Sequence, residues 1–482
     1  MAVKPRVAVI GAGAGGIAMA IQLLDSGWGE GDFTIFDRAD GFGGTWRHNT
    51  FPGAACDVPS HLYSYSFALN PRWSKTYANQ PEILDYLEAV AIKGGLDRHL
   101  RANTRIDTMQ WSDREHRWTL TTDDGSEHDF DVVVSAVGML DVPNIPAIPG
   151  AETFRGRAFH SSRWDHSRST AGERVASIGT GASAIQYVPA IAPETTHLTV
   201  FQRSAIWVAP RFDFPYTPEQ QELFERDPRE AQKIRDEVWN AYEASSFDAE
   251  SDQIREATEL AYSYLMRKVA DPVLRAKLTP DYPAGCKRPL MSREWFPTFA
   301  LPNVRLETSP IIRFTENGLL TADGNEHRVD TVIYGTGFKA ADYLSSIDVY
   351  GGGGRRLRDD WREGAEAYLG TLVAGYPNLF VLYGPNTNGV NSILYIHEVQ
   401  SDLVRRLLDL MAERRASAIE VKREAQDAYN AELQAAMQGK VWLACDNYFR
   451  HPSGKVVTQL PFSGKDFADR ARNVAVKDFH LC

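Results

Sequence analysis

The sequence predicts an α/β chain with two βαβ units, each opening on a glycine-rich turn, and a helical insertion in the second. Three observations carry this reading. At the N-terminus an apolar strand runs into GAGAGG, a helical stretch, a second strand and Asp37. The same order recurs from Val175, through GTGASA, to Arg203. A quieter repeat joins the halves: TDDGSEHDFDVVVSAVG at 122–138 matches TADGNEHRVDTVIYGTG at 321–337 at equal offsets. Each copy puts an Asp-Gly hairpin turn before an apolar strand that stops at glycine.

In chain order, Arg6–Ile10 reads as a buried strand, Ile17–Leu24 as a helix ended by Gly27, and Phe33–Phe36 as the next strand. Prolines at 143, 146 and 149 mark a linker, Pro143–Gly150, out of the first unit. The second unit has a strand at Val175–Ile178, a helix to about Ala192 and a strand at His197–Phe201. No glycine falls between Gly181 and Gly285, and 215–275 has helical spacing (Phe224, Ile234, Val238, Tyr242; Ile254, Leu260, Tyr264). Gly351–Gly354 reads as a mobile loop tip. A strand at Leu379–Tyr383, then Gly384–Pro385 and a helix over Ser392–Met411, are expected to pack back on the first unit. The expected division is 1–145 with 370–482, 150–210 with 284–368, and an insertion at 211–283.

Bulk properties narrow the function. A net charge of -11 over 482 residues argues against a nucleic-acid or anionic-membrane partner, which would need a basic face. Cys56, Cys286, Cys445 and Cys482 show neither CxxC pairs nor zinc spacing, which fits a reducing compartment and speaks against disulfide exchange. No metal site is expected. The first strand starts too early for a signal peptide, and no apolar run approaches the roughly 18 residues of a membrane span. A cytoplasmic protein is expected.

Glycines at 11, 13 and 16 suit a turn whose backbone approaches a pyrophosphate at a helix N-terminus. Asp37, 21 residues past Gly16, suits the ribose hydroxyls. These are the features of a Rossmann-like unit for FAD. The second loop, Gly179, Thr180, Gly181, Ser183 and Ala184, is followed by Arg203 where the first has an acid. A guanidinium there pairs with a 2′-phosphate, so NADPH is expected over NADH. Two such cofactors imply hydride transfer from NADPH to flavin.

GGTWRHNTFPGAACD at 43–57 reads as irregular backbone wrapped on a ligand, and FRGRAFHSSRWD at 154–165 lies between the two units. The first resembles the fingerprint G-G-x-W-x4-F/Y-P-G-x3-D, and the second F-x-G-x3-H-x3-W-P/D, of type I Baeyer–Villiger monooxygenases. YGTGF at 334–338 is similar to that family's A/G-T-G-F/Y segment. The resemblance spans roughly 6–210 and 284–400 and thins in the helical insertion and the tail. The sister N- and S-oxygenases share the two loops but usually lack the ending seen here as Trp164–Asp165.

The resemblance implies that NADPH reduces FAD, that O2 adds at the flavin C4a, and that the peroxyflavin attacks a ketone to give an ester or lactone. It implies Arg288 as the active-site cation and Asp57 as the acid that holds it. Lys287 would join Arg203 at the 2′-phosphate. A fixed guanidinium suits the anionic charge that develops in a water-poor cleft. Trp46 is expected against the flavin or its ribityl chain, and Gly44, Thr45, Tyr63, Ile106 and Asn386 complete the expected cofactor contacts. His160, with Phe154, Gly156, Trp164 and Asp165 of its fingerprint, is expected to fix the movement of the two units by hydrogen bonds rather than to transfer a proton.

CDNYF at 445–449 departs from the family's C-x-S-W-Y stretch, which folds over nicotinamide. Two other readings stay open: a flavin N- or S-oxygenase acting on a heteroatom substrate such as a sulfide, and a flavin-binding redox sensor. Neither the substrate nor the oligomeric state is legible.

Overall fold

The computed structural model describes residues 4–482. Its frame is two five-stranded parallel sheets. In the first, Val7–Ile10 lies between Phe33–Phe36 and Val132–Ser135, with Leu100–Arg101 and Leu379–Val381 at the edges. In the second, Arg174–Ile178 lies between His197–Phe201 and Thr331–Tyr334, flanked by Val304–Glu307 and Arg157–His160. Val7–Ile10, Val132–Ser135 and Thr331–Tyr334 are buried throughout, as expected of parallel strands covered on both faces.

The sequence repeat is structural. Thr122 donates its hydroxyl hydrogen to Asp124 or the Ser126 carbonyl, and Thr321 does the same toward Asp323 and Asn325. Gly125 and Gly324 take φ of 83° and 86° at the two turns, which glycine adopts without a Cβ penalty. Each repeat then delivers the strand that lies beside the first strand of its own unit.

The glycine-free stretch folds into helices Pro218–Arg226, Pro228–Glu243, Asp252–Lys268 and Pro272–Leu278. Three begin with proline at the first turn after a Thr or Asp cap, the position where its missing N–H costs nothing. On the second of these helices, buried Arg235 donates to the carbonyls of His61, Leu62 and Ser64 at 3.1, 3.1 and 2.6 Å, clamping the insertion to the first unit.

The helix Ile393–Arg414, capped by Ser392, packs against the first helix, Ala14–Asp25. Gly15 makes that contact possible: a Cβ there would stand 2.8 Å from the His397 ring.

Three expectations are corrected. The strand at 379 ends at Val381, because Tyr383 takes a left-handed φ of 54° and turns the chain. Gly351–Gly354 is no free tip: Gly351 and Gly352 donate to the carbonyls of Arg355 and Gly375, and Gly353 donates to Asp113. The cysteines are not all free, since Cys286 and Cys445 form a disulfide.

Candidate active site

The first glycine loop opens a cavity lined by Gly11, Gly13, Asp37, Gly44, Thr45, Trp46, Tyr63 and Ile106, among others. Backbone meets backbone here. A Cβ at Gly44 would stand 2.7 Å from the Gly13 Cα, and one at Gly16 would stand 1.8 Å from the Gly11 carbonyl oxygen. Asp37 accepts hydrogen bonds from the N–H groups of Ala12 and Ala39 at 2.6 and 2.8 Å, fixing its carboxylate at the cavity edge. Trp46 donates its indole N–H to the Tyr63 hydroxyl at 2.9 Å. The exposed loop N–H groups, the carboxylate at the strand end and the aromatic wall fit a dinucleotide with an isoalloxazine ring.

Asn386 is not among the lining residues. Its amide donates to the carbonyls of Val456 and Gln459 at 2.8 and 2.9 Å, which gives it the task of holding the 383–388 turn to the tail. His397, which the sequence reading missed, does line the cavity; it is buried and its Nδ1 has no partner. Burial pushes its imidazole down to about 4, so it is neutral. No local motif marks it, because only helix packing brings it to the loop.

The second loop repeats the first. Gly179 takes a φ of 105°, and a Cβ on it would lie 2.4 Å from the Gly335 carbonyl oxygen, as one on Gly11 would lie 2.6 Å from that of Ala136. Thr180 donates to the Ser204 carbonyl at 3.4 Å, Gly181 has open space around it, and Ser183 and Ala184 start the helix. Lys287 donates to the Ser204 hydroxyl at 3.1 Å, beside Arg203. Burial, then the charge of Arg203, lower the Lys287 ammonium below its usual range. Among the described residues neither cation has an ion-pair partner, so an anionic group between them would relieve the repulsion.

Arg288 and Asp57, 231 residues apart, form a bidentate pair: Nε to Oδ2 at 2.9 Å and Nη2 to Oδ1 at 2.7 Å. Their side chains are 42% and 34% exposed. The Asp57 charge raises the guanidinium above its ordinary value despite burial. Burial alone would raise the Asp57 carboxyl; the charge and hydrogen bonds of Arg288 overcome this and hold it below its usual range. Tyr383 and Tyr448 lie within electrostatic reach of Arg288. The arrangement presents one fixed cation, with its geometry set by the carboxylate behind it.

The second fingerprint is architectural. His160 is buried, its Nδ1 accepts from the Ser162 N–H at 3.1 Å, and its Nε2 donates to the Gly337 carbonyl at 2.9 Å. Burial lowers its imidazole, so both nitrogens are occupied in the neutral ring. Phe154 packs on Phe314, and a Cβ at Gly156 would meet the Asp330 carbonyl oxygen at 2.4 Å. Trp164 packs on Phe159 and Tyr187, and Asp165 accepts from Arg157 at 3.1 Å. Ser162, next to the histidine, reaches the first cavity.

Residues 4–226 match the family described as Flavin-binding monooxygenase-like. A Baeyer–Villiger monooxygenase of Pseudomonas aeruginosa is 40% identical over 482 residues, covering 99% of this chain and 91% of that one. The chain belongs to the Baeyer–Villiger monooxygenases. Among solved structures, OTEMO in complex with FAD and NADP superposes with a TM-score of 0.90 at 26% identity, covering 99% of both chains. Cyclohexanone monooxygenase from Rhodococcus sp. Phi1 bound to NADP+ gives 0.90 at 28% identity, again over 99% of both. The likeness covers the helical insertion and the tail, where the sequence resemblance was thin.

Proposed function

We propose that Arg288, oriented by Asp57, is the cation that carries ketone oxidation in this enzyme, and that the two glycine loops divide the cofactors between them. As a Baeyer–Villiger monooxygenase the chain uses NADPH, FAD and O2 to convert ketones to esters or lactones. FAD, once bound and reduced, supplies the activation of O2. In our reading Gly11, Gly13, Gly16 and Asp37 hold its dinucleotide, with Gly44, Thr45, Trp46, Tyr63 and Ile106 along the remaining wall. Gly179–Ala184 receives NADPH, and Arg203 with Lys287 takes its 2′-phosphate. Residues 1–145 with 370–482, 150–210 with 284–368, and the helical 211–283 are the corresponding domains.

The bidentate Arg288–Asp57 pair is the observation that carries this reading. Negative charge that develops on the substrate oxygen meets a guanidinium that needs no reorganisation, and this is where preorganised electrostatics act most strongly. Asp57 both prevents the guanidinium from swinging away and balances its charge when no substrate is present. His160, bonded at both nitrogens, couples its strand to Gly337, and its one N–H proton is engaged by that carbonyl rather than free to transfer. Among the described residues no helix is long and apolar enough to cross a membrane. Residence in the cytoplasm and a small ketone substrate belong to the proposal.

Arg288→Ala tests it. Ester formation should collapse while flavin reduction by NADPH persists; unchanged ester formation would overturn the assignment. Sulfide oxidation by the same variant separates this chemistry from heteroatom oxygenation, which has less need of the cation.

A further inference from the structure

The Cys286–Cys445 disulfide spans 159 residues and joins the segment that carries Lys287 and Arg288 to the tail. Cys286 immediately precedes Lys287 and Arg288, and Cys445 opens the CDNYF stretch that departs from the family pattern. Around the sulfurs, the Asn447 amide donates to the carbonyls of Cys286, Trp442 and Cys445 at 3.0, 2.8 and 3.3 Å. The base of the segment is tied to the helical insertion, where the Val441 N–H donates to the Phe247 carbonyl and Lys440 pairs with Asp248 at 2.7 Å. Beyond the disulfide, the half-exposed Tyr448 lies within electrostatic reach of Arg288 and Asp57. The bond therefore ties the cation loop to a segment whose ends are anchored by buried Val441, Trp442 and Phe449, while no residue between 443 and 448 is buried.

The two cysteines differ in burial. Cys286 is fully buried, whereas Cys445 is only partly so. The remaining cysteines are separate: Cys56 is buried with its thiol pushed up to about 12 by burial, and Cys482 is the exposed last residue. Where glutathione and thioredoxin-like proteins keep thiols reduced, a disulfide that persists is usually transient or redox-sensing.

We propose that Cys286–Cys445 is a redox-active clasp, opened by a dithiol reductant, that sets how tightly the 439–449 segment is held on the Lys287–Arg288 loop and so how firmly the enzyme retains NADP(H). This rests on the reading of Lys287 and Arg203 as the 2′-phosphate site. A thiolate of the reductant attacks the sulfur of the less buried Cys445; the S–S bond breaks, its electron pair leaves on Cys286, and that sulfur takes a proton. The second thiol of the reductant then displaces Cys445 from the mixed disulfide. One disulfide and two thiols become two thiols and one disulfide. Hydrogen peroxide would close the clasp again, giving the disulfide and two waters. With the bond open, buried Val441, Trp442 and Phe449, with Asn447 and the Lys440–Asp248 pair, still hold the ends, so the 443–448 stretch loosens without leaving.

Holoenzyme prepared without reductant and alkylated in denaturant should be modified at Cys56 and Cys482 only, with the Cys286 and Cys445 peptides linked in the mass spectrum. After dithiothreitol all four should be modified. Reduction should raise the dissociation constant of NADP+, measured by flavin fluorescence or calorimetry, about five- to tenfold, the lower end of the usual coupling between sites. Cys445→Ser should show the raised value and no response to dithiothreitol. Four free thiols before reduction, one NADP+ affinity for both redox forms, or a full dithiothreitol response in Cys445→Ser would each overturn the proposal. The comparison of oxidised and reduced wild type needs no variant to fold. Unchanged NADP+ affinity in Lys287→Ala would undo the 2′-phosphate reading instead, and leaves the thiol map intact.

Discussion

At the scale of single residues, the site depends on charge held in place. Arg288→Ala should lower ketone turnover by about 10²-fold or more, the usual cost of losing a preorganised donor, and Arg288→Lys should recover little of it because a point charge cannot pair bidentately with Asp57. Turnover of ketone against NADPH-driven flavin reduction, measured for each variant, checks this. Asp57→Asn should act in the same direction, since the amide keeps the shape and loses the charge that holds the guanidinium. Arg203→Ala tests the cofactor side: losing a charge-assisted contact of about 1.5–3 kcal/mol should cut kcat/KM for NADPH about ten- to a hundredfold and leave NADH nearly untouched. Equal losses for both nucleotides would contradict it. Arg203 and Asp37 were legible because strand ends after glycine loops have a fixed geometry. Arg288 and Asp57 were legible only through family resemblance, since nothing local joins residues 231 apart.

At the scale of elements, the two loops work because glycine lets backbones touch. Gly16→Ala would drive a Cβ into the Gly11 carbonyl, 1.8 Å away, so the purified protein should lack flavin absorbance while keeping its helical content. A variant that retains stoichiometric FAD would refute the loop's assignment. The insertion helices were readable from spacing, and their clamp was not. Arg235 sits on a helical face that reads as polar, yet it is buried and satisfies three carbonyls of the 61–64 turn beside Tyr63. Arg235→Ala should destabilise the protein by about 2–4 kcal/mol through those orphaned acceptors, seen as a lowered denaturation midpoint. The repeat at 122–138 and 321–337 was legible because hairpin turns and buried strands carry their signal locally. The Cys286–Cys445 pair escaped notice for the opposite reason: spacing rules for cysteines report local motifs, and this bond closes across the fold.

At the scale of the whole molecule, buried histidines set a pH limit. Burial pushes His61 and His397 down to about 4, and lowers His160 as well. A folded pKa below the unfolded value means that the unfolded chain takes up the proton first. The stability these rings contribute is fully present above about pH 6.5 and is lost as pH falls toward 4, by up to about 3 kcal/mol for each of the two strongly shifted rings. Melting temperature should therefore fall steeply over that window. It should fall less in His61→Phe, whose ring replaces an imidazole packed on Tyr216 and Phe224 with neither nitrogen bonded. The overall layout, two parallel sheets with His160's strand at the edge of the second, brings Arg288 to Asp57, 231 residues away, and that meeting is the centre of the account. Its most direct measurement supplies holoenzyme with NADPH, isotopically labelled O2 and a panel of ketones and sulfides, with products read by mass spectrometry. The account predicts esters or lactones carrying one labelled oxygen atom, formed by the wild type and lost in Arg288→Ala. Labelled sulfoxides or N-oxides alone, or peroxide with no oxygenated product, would contradict it.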